Sequence, residues 1–283
     1  MRNILIILML AVVAPMLVFG QTKESFDDWQ IQYDVPNGWR MDKRLGRLHV
    51  LGNGGQEMAI LVAAGLYTTA DESLNDLYKF AQEMGMQGYP GEQPQNTQIG
   101  GKNAVTATFG GADQFQRPLQ SRFVGVFTNH GTGVNVLAIG PTAQYQQIKN
   151  WAESIAASVT ANPPKTNQQM IAALSGKWIF YSGNSSSGIA NSGSWAHSYE
   201  ETCIFDGQGN YNWFSNSSVS ADSRVTAGGY GSSASGIDQN KDQGTYTVIG
   251  NLLIMKGQHG QFTSDIVLQG NKLTAAGKTY FRE

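Results

Sequence analysis

The chain has 283 residues, with 19 basic side chains against 21 acidic ones and a net charge of −2. That balance excludes the electrostatic footprint of a nucleic-acid binder and the basic stripe that docks on anionic membranes. Charged residues make up only 14%, well below the ~25% usual in globular domains, and Gly, Ser, Asn and Gln fill the difference, which favours an exported, β-rich protein with long polar loops.

Residues 1–20 read as a signal peptide. Arg2 supplies the positive start, and the apolar run from Ile4 to Val18 is broken only by Pro15. Val18 and Gly20 are small enough for the −3 and −1 positions of a cut before Gln21. The run is shorter than the ~20 residues that span a bilayer, and no other segment comes close. No Cys near the cut offers a lipid anchor. A chain without a membrane span, placed in the periplasm or outside the cell, is the expectation. Cys203 is the only cysteine, so no internal disulfide can form. It reads as a small buried hydrophobe rather than a reactive thiol.

The next stretch mixes strand and helix signals. Trp29 to Val35 alternates as a strand, and Pro36-Asn37-Gly38 turns the chain. Leu45–Leu51 and Met58–Leu66 read as further strands. Thr69-Ala70-Asp71-Glu72 is a capping box, followed by Leu74, Leu77, Tyr78, Ala81 and Met84 at helical spacing, with Gly85 as the stop. Four more strands follow at Gln95–Ile99, Ala104–Phe109, Ser121–Asn129 and Val134–Ile139. Pro141 and Thr142 open a second helix with Tyr145, Ile148, Trp151, Ala152, Ile155 and Val159 on one stripe. Three strands, a helix, four strands and a helix make an α+β domain: an antiparallel sheet with two packed helices.

Three stretches carry a resemblance: Ile31 to Trp39 (with Tyr33, Pro36 and Gly38), Ile99-Gly100-Gly101-Lys102-Asn103-Ala104, and the closing Ala156-Ala157-Ser158-Val159. Residues 25–160 resemble the PsbP-like fold, the family of the lumenal photosystem subunit and its bacterial relatives. The resemblance implies a non-enzymatic domain that docks on a protein partner, and it carries over no catalytic residue.

Pro163-Pro164 cannot continue a helix, and composition shifts there. The expected organisation is a signal peptide at 1–20, the α+β domain at 21–160, a semi-rigid linker at 161–169 and an all-β meander or barrel at 170–283. Turns punctuate this last part at Asp206-Gly207-Gln208-Gly209-Asn210, Gly250-Asn251 and Gly270-Asn271. Gly-Asn-x-Leu-x-x-x-Gly fits both 250–257 and 270–277, an internal echo of one hairpin. About eight or nine short strands are expected, enough to close a barrel and remove its edges.

Gly176 and Trp178 near the start, and Arg282 at the end, resemble lipocalin-like small barrels. These open on Gly-x-Trp and cover that Trp with a basic residue from the last element. The resemblance implies that Gly176, Trp178 and Arg282 close the barrel, Arg282 by a cation–π contact, and that the barrel binds a small apolar ligand. The other lipocalin signature motifs are missing, so the likeness is to the barrel type rather than to the family proper.

The usual catalytic constellations are missing. Gly277-Lys278-Thr279 lacks the upstream Gly of a phosphate loop, since position 272 is Lys, and no Gly-x-Ser-x-Gly elbow occurs. His49, His130, His197 and His259 are scattered. No cofactor is implied. Asp238, Asn240 and Asp242 resemble the start of a calcium loop, but the Gly comes one residue late and Ile249 stands where a bidentate Glu is needed; a polar loop turning at Gly244 is the competing reading. The run 195–205 is more informative. Strand geometry puts Trp195, His197, Tyr199, Glu201, Cys203 and Phe205 on one face, with Tyr211 and Trp213 on the next strand. Trp195, His197, Tyr199, Glu201, Tyr211 and Trp213 are therefore the candidate ligand-binding set, mostly apolar with polar anchors. A filled core is the alternative. Ser182–Ser194 and Ser215–Gln243 read as long polar loops, the second read as disordered or as a mobile, partner-binding lid.

Three functional readings follow. The first is an exported, non-catalytic binding protein with a docking domain and a ligand-holding barrel. The second is an accessory subunit of an envelope or secreted assembly with a filled barrel, which calls for an exposed apolar patch on the N-terminal sheet. The third is a hydrolase-type enzyme using His197 and Glu201 as acid and base.

Overall fold

The computed structural model describes residues 22–54, 58–83, 90–113, 115–186, 194–223 and 232–283. The signal peptide and the stop at Gly85 lie outside the described residues.

Five strands precede the first helix: β1 (Thr22–Phe26), β2 (Ile31–Val35), β3 (Arg40–Leu45), β4 (Leu48–Gly52) and β5 (Ala59–Gly65). The sequence reading missed two of them. β3 is Arg-Met-Asp-Lys-Arg-Leu, an exposed edge strand whose charges carry no apolar alternation. The expected Leu45–Leu51 strand is split by a turn at Gly46-Arg47. Trp29 belongs to the turn before β2 rather than to the strand.

Helix α1 (Ala70–Glu83) begins with the expected cap. Thr69 Oγ1 accepts from the Glu72 amide at 3.2 Å, and the Glu72 carboxylate accepts from the Thr69 amide at 3.1 Å. Then come β6 (Pro90–Ile99), β7 (Lys102–Ala112), β8 (Pro118–Phe127), β9 (Gly133–Pro141), a 3-10 turn at Thr142–Gln144, α2 (Tyr145–Ser158) and the short β10 (Thr160–Ala161).

The strands form two antiparallel sheets. One has seven strands in the order β3-β4-β5-β9-β8-β7-β6; the other is β1-β2-β10. The large sheet is covered on both faces, which is why β5 and β9 read as nearly continuous apolar runs. Ile60, Val62, Val124, Val136 and Ala138 pack with Ile148, Ala152 and Ile155 of α2. Leu61, Val105, Phe123 and Leu137 turn the other way and pack with Leu77 of α1. This is the expected α+β domain.

The connecting segment is structured. The Asn162 amide donates to the Gln30 carbonyl at 2.9 Å and the Lys165 amide to the Asp28 carbonyl at 2.8 Å. Thr166 bridges to Ile249. Asn167 donates its amide to Val248 and caps α3 (Gln168–Leu174) by accepting from the Met170 amide at 2.9 Å. This helix was not expected, because its seven residues, about two turns, are too few to show a periodic stripe.

Eight antiparallel strands then close a barrel in sequence order: β11 (Gly176–Ser186), β12 (Ser194–Phe205), β13 (Asn210–Ser223), β14 (Ser232–Ile249), β15 (Leu252–Gly257), β16 (Gly260–Gln269), β17 (Lys272–Ala275) and β18 (Lys278–Arg282). Gly250 and Gly270 take φ of 58° and 60° at the two expected hairpins. The barrel is lopsided. β13 pairs with β14 without interruption from Asn210↔Thr245 to Ser223↔Ser232, whereas β15 reaches only to Gly257↔Gly244. The distal parts of β11–β14 therefore stand beyond the barrel as a four-stranded ribbon. This corrects the two expected polar loops over 182–186, 194, 215–223 and 232–243, and the turn at Gly244, all of which are strand; 187–193 and 224–231 lie outside the described residues. Ser, Asn and Gly there lack alternation because both faces of the ribbon meet water, while backbone pairing with the neighbouring strands holds it.

The two halves share an apolar cluster. Ile249, Leu252 and Ile254 of the barrel belong to the same buried group as Trp29, Ile31 and Val35.

Candidate functional site

The barrel has a closed end and an open one. α3 lies at the closed end, where Ile171 and Leu174 join Trp178, Phe205 and Tyr246 in one buried cluster. The rings of Phe205 and Tyr246 meet edge-on at 4.7 Å, and the Tyr246 hydroxyl donates to the Ile171 carbonyl at 3.1 Å. Trp178 is fully buried and donates Nε1–H to the Leu174 carbonyl at 2.7 Å. The Arg282 guanidinium sits 4.4 Å from the centroid of the Trp178 ring and donates to the Ala173 carbonyl. Gly176, with φ of 121°, starts β11 beside it.

Above this floor is a cavity of about 500 Å³, inside the 300–1,000 Å³ range of small-molecule sites. Cys203, Phe205, Leu253, Met255, Leu273 and Ala275 supply its apolar lining. Tyr199, Glu201, Tyr211, Trp213, Lys278 and Tyr280 form a more polar band. Asn240, Lys241, Asp242, His259 and Phe262 edge the mouth.

The polar band is organised around Glu201, only 6% exposed. Its carboxylate accepts from Trp213 Nε1–H at 2.7 Å and pairs with the Lys278 ammonium. Lys278 also lies 5.0 Å from the centroid of the Tyr199 ring and 5.3 Å from that of Phe180. Burial opposes the Lys278 charge, but the neighbouring Glu201 carboxylate outweighs it and raises the pKa. Burial, reinforced by Glu201, pushes the Tyr280 hydroxyl well above the ordinary tyrosine value and the Cys203 thiol up to about 12.

A second carboxylate stands at the rim. The Tyr211 hydroxyl donates to Asp242 at 2.8 Å, and the amides of Gln258 and Gln243 donate to it at 2.9 Å. These bonds, that of Tyr211 foremost, hold Asp242 below the usual carboxylate range. His259 Nδ1 is 3.4 Å from the same carboxylate.

The structure brings Tyr199, Glu201, Tyr211 and Trp213 of the candidate set together in the cavity wall. Trp195 and His197 share their strand face but belong to the ribbon, opposite Ala221 and Val219. Trp195 is 46% exposed. His197 and Glu201 are not brought together as an acid–base pair: four strand residues separate them by about 13 Å. Asp238, Asn240 and Asp242 lie on alternate positions of β14, not in a loop. Steps of about 6.6 Å between them are too long for oxygens that must all reach one ion at about 2.4 Å. Among the described residues no group of three acidic, His or Cys side chains is placed to hold a metal.

Lys278, Tyr280 and His259 stand outside the ligand set expected from sequence, and Asp242 was expected only as part of a calcium loop. The alternation Lys278, Tyr280, Arg282 marks one face of the last strand and was a usable signal. Exposed large apolar side chains stand on the barrel half, with Tyr181, Trp195, Val219 and Ile237 on the ribbon; the expected patch on the N-terminal sheet is instead met by α1 and α2 packing. No helix among the described residues is long and apolar enough to cross a membrane.

The sequence matches no family model and no curated protein. The N-terminal half is similar in fold to the solution structure of cyanobacterial PsbP (CyanoP) from Synechocystis sp. PCC 6803, with 14% identity and a TM-score of 0.39 over 54% of this chain and 99% of that one. It is also similar to LpqN of Mycobacterium tuberculosis, a protein involved in cell envelope biogenesis, with 13% identity and a TM-score of 0.36 over 50% of this chain and 86% of that one.

Proposed function

We propose that the protein is an exported, non-catalytic binding protein. Its barrel holds a small, mainly apolar ligand, and its N-terminal domain docks on a protein partner. The observation that carries the ligand reading is the cavity of about 500 Å³, open at one end, apolar in depth and ringed by Glu201, Lys278 and Trp213. Export rests on the pattern of residues 1–20, and the domain limits on the sequence: 21–160, 161–169 and 170–283. The docking role rests on the resemblance of residues 25–160.

Native mass spectrometry of the chain recovered from its own exported fraction tests the ligand reading. A mass excess over the denatured chain, lost in Trp213→Ala, is the expected result. A bare chain mass in both proteins refutes it.

A second reading, an accessory subunit of an envelope or secreted assembly, is favoured by the apolar side chains of the ribbon, among them Ile237 at 74% exposure. A protein that co-purifies with a bare chain and leaves when Ile237 is replaced by Asp supports that reading.

A further inference from the structure

We infer that the barrel selects an amphiphile with an anionic head group, a carboxylate held by Lys278, whose apolar body points toward Phe205 and Leu253. This rests on the reading of the barrel as a ligand cavity.

The lining is graded along the barrel axis. Phe205, Tyr246 and Arg282 mark the closed end, and Glu201, Asp242 and Lys278 each stand four residues farther along the same strands, about 13 Å toward the mouth. A molecule entering from the open end therefore leads with its apolar part and keeps its polar end near Glu201 and Lys278. The sign of that polar end follows from hydrogen-bond capacity. A carboxylate offers about four lone-pair sites. Glu201 already accepts from Trp213 and Lys278. Asp242 already accepts from Tyr211, Gln243 and Gln258, with His259 alongside. The acceptors of the cavity are thus largely committed.

The donors are less so. A lysine ammonium has three N–H groups. Lys278 gives one to Glu201 and otherwise lies over the Tyr199 ring, which leaves two for an occupant. Its side chain is 35% exposed, so a head group reaches it without stripping away a whole hydration shell. A cationic head would face the Lys278 ammonium, with Glu201 already paired to it and the Asp242 carboxylate taken up by Tyr211, Gln243 and Gln258; a neutral hydroxyl would gain one ordinary hydrogen bond; a carboxylate gains a charge-assisted one.

The test is a head-group series on one chain length. Decanoate, decanol and decylammonium are titrated into the full chain below their micellar concentrations and followed by calorimetry. Decanoate is expected to bind about tenfold tighter than decanol, the ratio that one charge-assisted contact adds to a neutral one, with decylammonium weakest. The ratio of decanoate to decanol affinity falls to about one in the double variant Glu201→Gln, Lys278→Met, which removes the ammonium without leaving Glu201 charged and unpaired. It persists in Lys278→Arg. Equal affinities for decanoate and decanol in the unaltered protein, or a preference for the amine, overturn the head-group assignment and leave the cavity reading standing. Retention of the ratio in the double variant overturns the role of Lys278. Failure of all three compounds to bind overturns the cavity reading and the head-group assignment together.

Discussion

Arg282, one residue from the end of the chain, lays its guanidinium 4.4 Å from the centroid of Trp178, two residues into the first barrel strand. β11 and β18 are hydrogen-bonded neighbours at this point, with Trp178 opposite Arg282. The contact therefore lies on the seam where the first and last strands close the barrel. Trp178→Ala removes a fully buried ring and is expected to cost about 3–5 kcal/mol. Arg282→Ala leaves the ring in place and is expected to cost about 1 kcal/mol, the worth of a partly desolvated cation–π contact. Urea unfolding followed by circular dichroism measures both; equal costs would mean that the guanidinium, not the ring, holds the seam.

His49 titrates against stability. It is buried, stacked on Phe26 at 3.8 Å, and shares a 2.8 Å hydrogen bond with the Tyr33 hydroxyl. Burial, helped by the Arg44 charge, lowers its pKa from 6.5 to about 4. The unfolded chain then binds the extra proton first, so the contribution of neutral His49 is complete above the unfolded pKa of 6.5 and is lost as pH falls toward 4. The loss is expected to be on the order of 2 kcal/mol after allowance for solvent screening. Unfolding free energies measured across that window should show a shallower slope in His49→Gln.

Thr69 offers a cleaner local measurement. Its hydroxyl and the Glu72 carboxylate satisfy amides at the start of α1, at an exposed site with no cavity to create. Thr69→Ala is expected to lower stability by about 1 kcal/mol. Thr69→Ser, which keeps the acceptor, is expected to change it little, and thermal unfolding of the two variants separates the cap from the methyl group.

Cys203 gives a stoichiometric readout of the barrel wall. Its thiol is buried and held up at about 12, chiefly by burial, so the thiolate that reacts with alkylating reagents is scarce near neutrality. Iodoacetamide is expected to modify the native chain far more slowly than the chain in denaturant, and to add one group only. Native labelling as fast as that of the unfolded chain would place this part of the wall in open solvent.

Legibility tracked the range over which each feature is encoded. The α1 cap is written in Thr69 and Glu72, three residues apart, and the hairpins at Gly250 and Gly270 in adjacent residues. The stripe of α2 is written over four turns. Each was readable, and so was the face of β12, because alternation from Tyr199 to Phe205 is local. β3 was not readable: it is solvated on nearly every side and has no apolar period. The ribbon was missed for the same reason, since Ser and Gly in strands held by backbone pairing alone look like Ser and Gly in loops. The core of the site was hidden for another reason. Glu201 and Lys278 are 77 residues apart, and only the circular closure of eight strands makes them neighbours.

Ile249, Leu252 and Ile254 give the barrel and the N-terminal sheets a common interior, and Asn167 ties the connecting segment to Val248 and Gly250. Occupancy of the barrel is therefore not a private matter of the barrel. Any molecule that binds only the folded form adds its binding free energy to every opening that must first release it. Amide protons at Ile31 or Val136, in the half of the chain that touches no part of the cavity, should then exchange more slowly when the cavity is filled. The exchange rates of the N-terminal half then report whether the barrel is loaded.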